Sequence, residues 1–272
     1  MQSADVTPKV WAHILAARAG RACLCCGDWA TGERAAMALY GAMLAAPGTP
    51  QVVAQIGQSL DGRVATVTGD AVDVSGPDGL AHLHRMRALV DAVIVGVKTA
   101  LHDDPRLTVR LVPGPNPARV VIDPSGRLPN AARLFAEDGA RRIVIQTVDK
   151  PRPTGVEVIR LPRNVWISPQ AIVSALRKLG LHHLMVEGGA ITIARFIEAD
   201  LLARLHVAVA PLLIGAGPQG LTTRPVARLT QARRPETQVY GLGSDVLFDC
   251  VMGVRVAAEV WPHARPSAAR LG

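Results

Sequence analysis

The sequence predicts an α/β protein: a mixed, mostly parallel sheet flanked by helices, with a helical N-terminal extension. Three observations predict it. From Gln51 onward, short apolar runs alternate with stretches of helical period. The last apolar runs follow one another with no helix between them, so antiparallel pairing is expected there. Residues 1–48 are different: rich in Ala and Arg, they carry two helical stretches at 8–19 and 32–46.

The run Pro47-Gly48-Thr49-Pro50 breaks the pattern and sets a boundary. It divides the chain into an extension (1–48), a main domain (49–256) and a basic tail (257–272). Strands are expected at 52–56, 92–97, 119–122, 143–146, 156–161, 183–186, 206–213 and 245–251. Helices are expected at 77–90, 169–179 and 190–202. Pro77 suits the first turn of its helix and Ser75 its cap. From Ala257 the expectation is a strand fringe followed by disorder.

The 272 residues suffice for one large domain or two small ones, and 49% hydrophobic content can bury a sizeable core. The formal charge is +8, but the basic residues are scattered and aromatics make up only 3%. Single-strand binders interleave charge with aromatic platforms, so no nucleic-acid partner is expected. An anionic cofactor and a phosphorylated substrate account for the charge more simply. No apolar run reaches the ~18 residues of a membrane span, and the N-terminus lacks a signal-peptide pattern. A cytoplasmic protein with no membrane partner is expected. Cys23, Cys25 and Cys26 crowd together and Cys250 stands apart, a layout that reads as reduced thiols rather than a disulfide framework.

Four stretches carry chemistry. Gln58-Ser59-Leu60-Asp61-Gly62-Arg63 follows a strand, and alone it reads as an ordinary turn. Leu80, Leu83, Arg87 and Val90 share one helical face. An arginine in that stripe needs an anion, either a ligand or a structural carboxylate, or else must snorkel. The segment 95–110 ends a buried strand and bends at Asp103-Asp104-Pro105; polar residues beyond strand ends are site candidates. Val186-Glu187-Gly188-Gly189-Ala190 joins a strand to a helix. Its glycines let a pyrophosphate approach the backbone, and the helix start supplies free N–H groups. Glu187 suits a substrate hydroxyl instead. Gly215-Ala216-Gly217-Pro218-Gln219-Gly220 matches G-x-G-x-x-G, but Pro218 interrupts it and no helical stripe follows, so it reads as a loop bordering the site.

Taken together, SLDGR, HRMRA, GVKTALHDDPRLTVR, RVVIDPSGRLP, LMVEGGA, VAPLLIGAG and GSDVLF resemble the reductase domain of bacterial riboflavin-biosynthesis deaminase-reductases. The resemblance covers roughly residues 50–252 and implies a dihydrofolate-reductase-like fold. It implies an NADPH-dependent reductase that converts the ribose of a phosphoribosylamino-pyrimidine to a ribityl chain, working as a homodimer. By that resemblance Gly57, Thr99, Asp103, Pro124, Gly188, Gly189, Ala190, Ile191 and Thr192 contact the cofactor, the helix start running on to Arg195. Asp73, Arg87, Leu107, Arg110 and Glu187 contact substrate, with Arg87 and Arg110 on its phosphate and Glu187 on the sugar hydroxyls. Asp103 or water is the candidate proton donor.

The chain departs from the family at the base end, where Gln55, Ala71 and Asp73 stand in place of a lysine, a serine and a tryptophan. A pterin-like substrate on the same fold, or a non-catalytic NADPH-binding subunit, are the alternatives. The deaminase half is not recognisable. No His-x-Glu occurs, and Cys23-x-Cys25-Cys26 departs from the Pro-Cys-x-x-Cys pattern that chemistry needs. No bound metal is expected.

Overall fold

Thr7 and Pro8 start the first helix: the Thr7 hydroxyl accepts from Val10 N–H at 3.3 Å and Pro8 occupies the first turn. In the computed structural model, which describes residues 1–44, 49–163 and 165–253, the short strand β1 (Gln2–Ser3) precedes this helix, α1 (Pro8–Arg18). Next comes α2 (Thr31–Gly41), whose Glu33 reaches back to accept from Ala30 N–H at 3.0 Å. The main unit continues with β2 (Gln51–Ser59), α3 (Pro77–Leu89), β3 (Ala92–Gly96), α4 (Val97–Asp103), β4 (Ala118–Ile122), β5 (Arg142–Gln146) and β6 (Val156–Arg160). It closes with α5 (Pro169–Lys178), β7 (His183–Glu187), α6 (Ala190–Glu198), β8 (Arg204–Ala210), β9 (Glu236–Leu242) and β10 (Asp245–Val251).

The strands form one sheet in the order β1-β9-β10-β8-β2-β7-β3-β4-β5-β6. From β8 through β6 all neighbours are parallel; β10 runs antiparallel to β8 and β9. The mixed, mostly parallel sheet and its antiparallel close are as expected. Side chains alternate between two cores, as the strand period requires. Val53, Val93, Val95, Val144 and Met185 face one core with α1 to α4; Ala54, Ile94, Ile143, Leu184 and Val186 face the other with α5 and α6.

Several expectations shift. Residues 97–103 form a short helix rather than a turn, ended by Asp104 in the left-handed region. Strand β9 escaped notice because Glu236, Thr237 and Gln238 lack apolar alternation. The strand expected to reach 213 stops at Ala210, since Pro211 cannot continue the ladder. The helix expected to reach 202 ends at Glu198, before the left-handed Asp200. Gly76 takes the cap position expected of Ser75, and Asp245 accepts its N–H at 3.0 Å. α2 ends at Gly41, and the expected continuation to Ala46, the boundary run 47–48 and the tail 257–272 lie outside the described residues.

The N-terminal helices share the first core rather than forming one of their own. Val10, Trp11, Ile14, Leu39 and Tyr40 pack with Met86, Leu89 and Val93. A buried polar chain crosses the same junction. The Tyr40 hydroxyl lies 2.9 Å from His82 Nδ1, and His82 Nε2 lies 3.1 Å from His206 Nδ1, the two imidazoles stacking at 5.2 Å. His206 Nε2 lies 3.1 Å from Asp249, which accepts from Arg204 at 2.9 and 2.5 Å.

Burial, reinforced by His206, holds the His82 pKa well below the ordinary imidazole value. The unfolded chain takes up that proton near pH ~6.5, whereas the folded chain does not. Stability should therefore fall with pH below about 6.5, by at most ~1.4 kcal/mol per pH unit for this one proton. Asp249 acts with the same sign at lower pH. Burial raises its pKa, but the His206 and Arg204 hydrogen bonds outweigh that and hold it at about 2. Its contribution is lost as pH falls from its unfolded value toward 2. Urea unfolding between about pH 7.5 and 5 checks the histidine part; a flat profile refutes it.

Candidate active site

Parallel strands align their carboxyl ends, and a cavity of about 1060 Å³ opens there. Gln55, Ile56 and Gly57 line it from β2, Gly96 from β3, Ile122 from β4 and Glu187 from β7. The loop with Pro218 and Gln219 covers one side, so the glycine-rich stretch does border the site. Asp61 ties that loop to the end of β2 by accepting the N–H groups of Gly215 at 2.6 Å and Ile214 at 3.2 Å. With the Ser59 hydroxyl, at 2.5 Å, these bonds hold the Asp61 carboxyl at about 2.

The turn from β7 to α6 is bare backbone. Gly188 and Gly189 both sit at φ 60°, and no side chain caps α6. A Cβ on Gly189 would stand 2.7 Å from Thr99 Oγ1, and one on Gly188 2.9 Å from Thr99 Cγ2. Only glycine fits both the conformation and the space. Ala190 and Ile191 at the first turn line the cavity, so a phosphate there meets uncapped N–H groups. These residues fit a dinucleotide pyrophosphate.

The cavity also has a cationic lining. Arg127, Arg163 and Arg195 line the cavity together with Ser125 and Trp166. Arg163 donates to Ser125 Oγ at 3.4 Å, and Arg195 lies 4.9 Å from the Trp166 ring centre. The carboxylates among the lining residues are Asp103 and Glu187. Asp123 holds the Pro124–Ser125 turn in place, accepting from Arg127 N–H at 2.8 Å, Leu128 N–H at 2.9 Å and Arg152 at 2.6 Å.

The cavity brings together Gly57, Thr99, Asp103, Pro124, Glu187, Gly188, Gly189, Ala190, Ile191 and Thr192. Gln55 and Ala71, two of the three departures, also line it. Asp103 accepts from or faces His102 Nδ1 at 2.6 Å. Asp73, Arg87, Leu107 and Arg110 do not line it. Asp73 is exposed at φ 59°, and Leu107 is buried in the first core at φ 55°. Arg87 finds its anion inside the protein. Its Nε donates to Glu187 Oε2 at 2.8 Å, Nη2 donates to Oε1, and Nη1 donates to Thr108 O at 3.0 Å. Of the options open in the sequence, the structural carboxylate is the one present, and Glu187 is that carboxylate. Arg110 lies beside this pair, donating to Thr108 Oγ1 at 2.9 Å. Burial, then the neighbouring Arg87, Arg106 and Arg133, lower its pKa.

Sequence reasoning missed Arg127, Arg163 and Trp166. Their one signal was a tryptophan near arginines just before a helix, in a chain poor in aromatics.

Fold and cavity define a class: α/β proteins with a cavity across the carboxyl ends of parallel strands and a bare glycine turn at a helix start. Residues 50–248 match the RibD C-terminal domain, and the chain belongs to that family. It is 32% identical over 207 residues to riboflavin biosynthesis protein RibD of Aquifex aeolicus, covering 73% of this chain and 57% of that protein. It is 33% identical over 211 residues to the 2,5-diamino-6-ribosylamino-4(3H)-pyrimidinone 5′-phosphate reductase of Methanothermobacter thermautotrophicus, covering 74% and 89%. The solved diaminohydroxyphosphoribosylaminopyrimidine deaminase/5-amino-6-(5-phosphoribosylamino)uracil reductase of Thermotoga maritima superposes with a TM-score of 0.66 at 27% identity, covering 75% of this chain and 56% of that one. The chain thus spans a little over half the length of the Aquifex and Thermotoga relatives and most of the Methanothermobacter one.

Arg87→Ala should strip Glu187 of its partner while leaving the carboxylate buried, costing about 3–5 kcal/mol. Urea denaturation measures it. Unchanged stability, with only ligand affinity lost, would restore Arg87 as a pure ligand group.

Proposed function

We propose that this chain is an NADPH-dependent reductase of the riboflavin-biosynthesis type, reducing the ribose of a phosphoribosylamino-pyrimidine to a ribityl chain. One observation carries the reading: a bare Gly188–Gly189 turn at a helix start shares its cavity with three arginines and a clamped carboxylate. The bound cofactor supplies the hydride. The protein binds, orients and excludes water.

In this reading the amides of the Gly189–Ile191 turn hold the pyrophosphate, and Thr99, Pro124, Gly57 and Thr192 orient the nucleotide. Arg127, Arg163 and Arg195 take the 2′-phosphate. Glu187 accepts a hydrogen bond from a sugar hydroxyl, and Arg87 holds that carboxylate in place. Arg110, with Arg106 and Arg133 near, receives the substrate phosphate. Leu107 shapes that turn from below, and Asp103 passes a proton from His102 or water. The free thiols suit a cytoplasmic, reducing compartment. Among the described residues no helix is long and apolar enough to cross a membrane.

A second reading, a pterin-like ring, is favoured by Gln55 and Ala71 on the cavity wall, where the family carries other residues. NADPH oxidation assayed against the phosphoribosylamino-pyrimidine and a dihydropterin separates the two. Turnover of neither overturns the reductase reading.

For the cofactor, calorimetry should find NADPH binding tighter than NADH. A charge-assisted contact is worth ~1.5–3 kcal/mol, roughly ten- to over a hundredfold. Arg163→Ala and Arg195→Ala should each narrow that preference. Equal affinity for the two nucleotides in the wild type sinks the 2′-phosphate assignment.

We also propose a homodimer. β8 lies in the interior of the sheet, but Leu212 and Leu213 beyond it are 38% and 74% exposed and offer apolar surface. A monomer mass by light scattering at micromolar concentration refutes it.

A further inference from the structure

One cluster of reactive side chains lies outside the cavity and has no part in the reduction. Cys23, Cys25 and Cys26 sit on the loop between α1 and α2, and their sulfur atoms converge. Cys23 Sγ is 2.6 Å from Cys25 Sγ and 2.7 Å from Cys26 Sγ, and the last two are 3.7 Å apart. All three residues are exposed, unlike Cys250, which is buried in the sheet. Burial therefore does not gather them, and thiols are poor hydrogen-bond partners for one another.

The backbone that carries them is braced from both helices. His13, on α1, donates from Nε2 to Cys23 O at 2.8 Å. Trp29 donates from Nε1 to Cys26 O at 3.1 Å and packs edge-on to His13 at 5.0 Å. Arg34, on α2, donates to Trp29 O, and Lys9 lies 4.7 Å from the Trp29 ring centre. The loop thus presents three sulfurs on a braced backbone.

We propose that Cys23, Cys25 and Cys26 form a trithiolate site for one soft divalent cation of the zinc class, with solvent as the fourth ligand. Zn–S bonds of ~2.3 Å in a tetrahedron put two sulfurs about 3.8 Å apart. Cys25 and Cys26 stand at that separation. Cys23 must swing outward by about 1 Å, which an exposed side chain does by a small χ1 change. Two residues separate Cys23 from Cys26, the interval of many structural zinc sites. The sequence expectation of no metal rested on a deaminase pattern, and such a pattern does not govern a structural site. Binding releases the three thiol protons to solvent and leaves a complex of net charge −1. The ion would fix the loop between α1 and α2, away from the reductase cavity.

The test uses the full chain, reduced and then stripped with a chelator. Titration with Co²⁺ should give thiolate-to-cobalt charge-transfer absorption that saturates at one ion per chain and is displaced by one equivalent of Zn²⁺. Cys23→Ser, Cys25→Ser and Cys26→Ser should each weaken Co²⁺ binding roughly tenfold or more. Circular dichroism of the triple serine variant should show the fold retained, since the side chains are exposed. Absence of the charge-transfer band in the wild type, or its persistence in the folded triple variant, overturns the proposal.

Discussion

A guanidinium and a carboxylate, 5% and 8% exposed, meet beneath the carboxyl edge of the sheet, and much of the site depends on them. Arg87 comes from α3 and Glu187 from the last position of β7. Taking both charges out of water is costly, and bidentate geometry offsets that cost only if the remaining donors also find acceptors. The Thr108 carbonyl is such an acceptor, and it lies next to Leu107, which a left-handed φ of 55° strains. The pair therefore fixes three things together: the carboxylate at the cavity wall, the start of the glycine turn, and the unusual bend at Leu107.

Two parts of the cavity lining are built by different physics. At the turn before α6 the recognition elements are backbone amides, and their placement needs glycine at two successive positions. At the Arg127–Arg163–Arg195 wall they are long side chains, and one of them is steadied by Trp166. Amides held by a helix have little freedom to lose when a ligand arrives. Flexible guanidinium groups lose more, but they discriminate by charge.

The strands of the parallel region were legible because Val, Ile and Ala cluster in runs between helices of clear period. The glycine turn was legible for the same local reason: Gly188 and Gly189 fall between a strand and a helix. The partner of Arg87 was not, because Glu187 is a hundred residues away and a periodicity argument shows only that an anion is needed. β9 was hidden by a polar first half, paired across its backbone to β10 rather than by apolar alternation. Arg127 and Arg163 were hidden because they come from separate loops that only the fold brings to the side of Arg195 on α6.

The chain of Tyr40, His82, His206, Asp249 and Arg204 bears on modularity. The family match begins at residue 50, yet His82 meets its hydroxyl partner at Tyr40, ten residues upstream of that line. Excising the chain at the homology border would bare the apolar face that Val10, Ile14 and Leu39 cover and orphan a buried imidazole. The border drawn by kinship is thus not a border of cooperative folding. A chimera that grafts residues 50–248 onto another leader loses the relay's Tyr40 at one border and its Asp249 at the other, and both must be supplied anew.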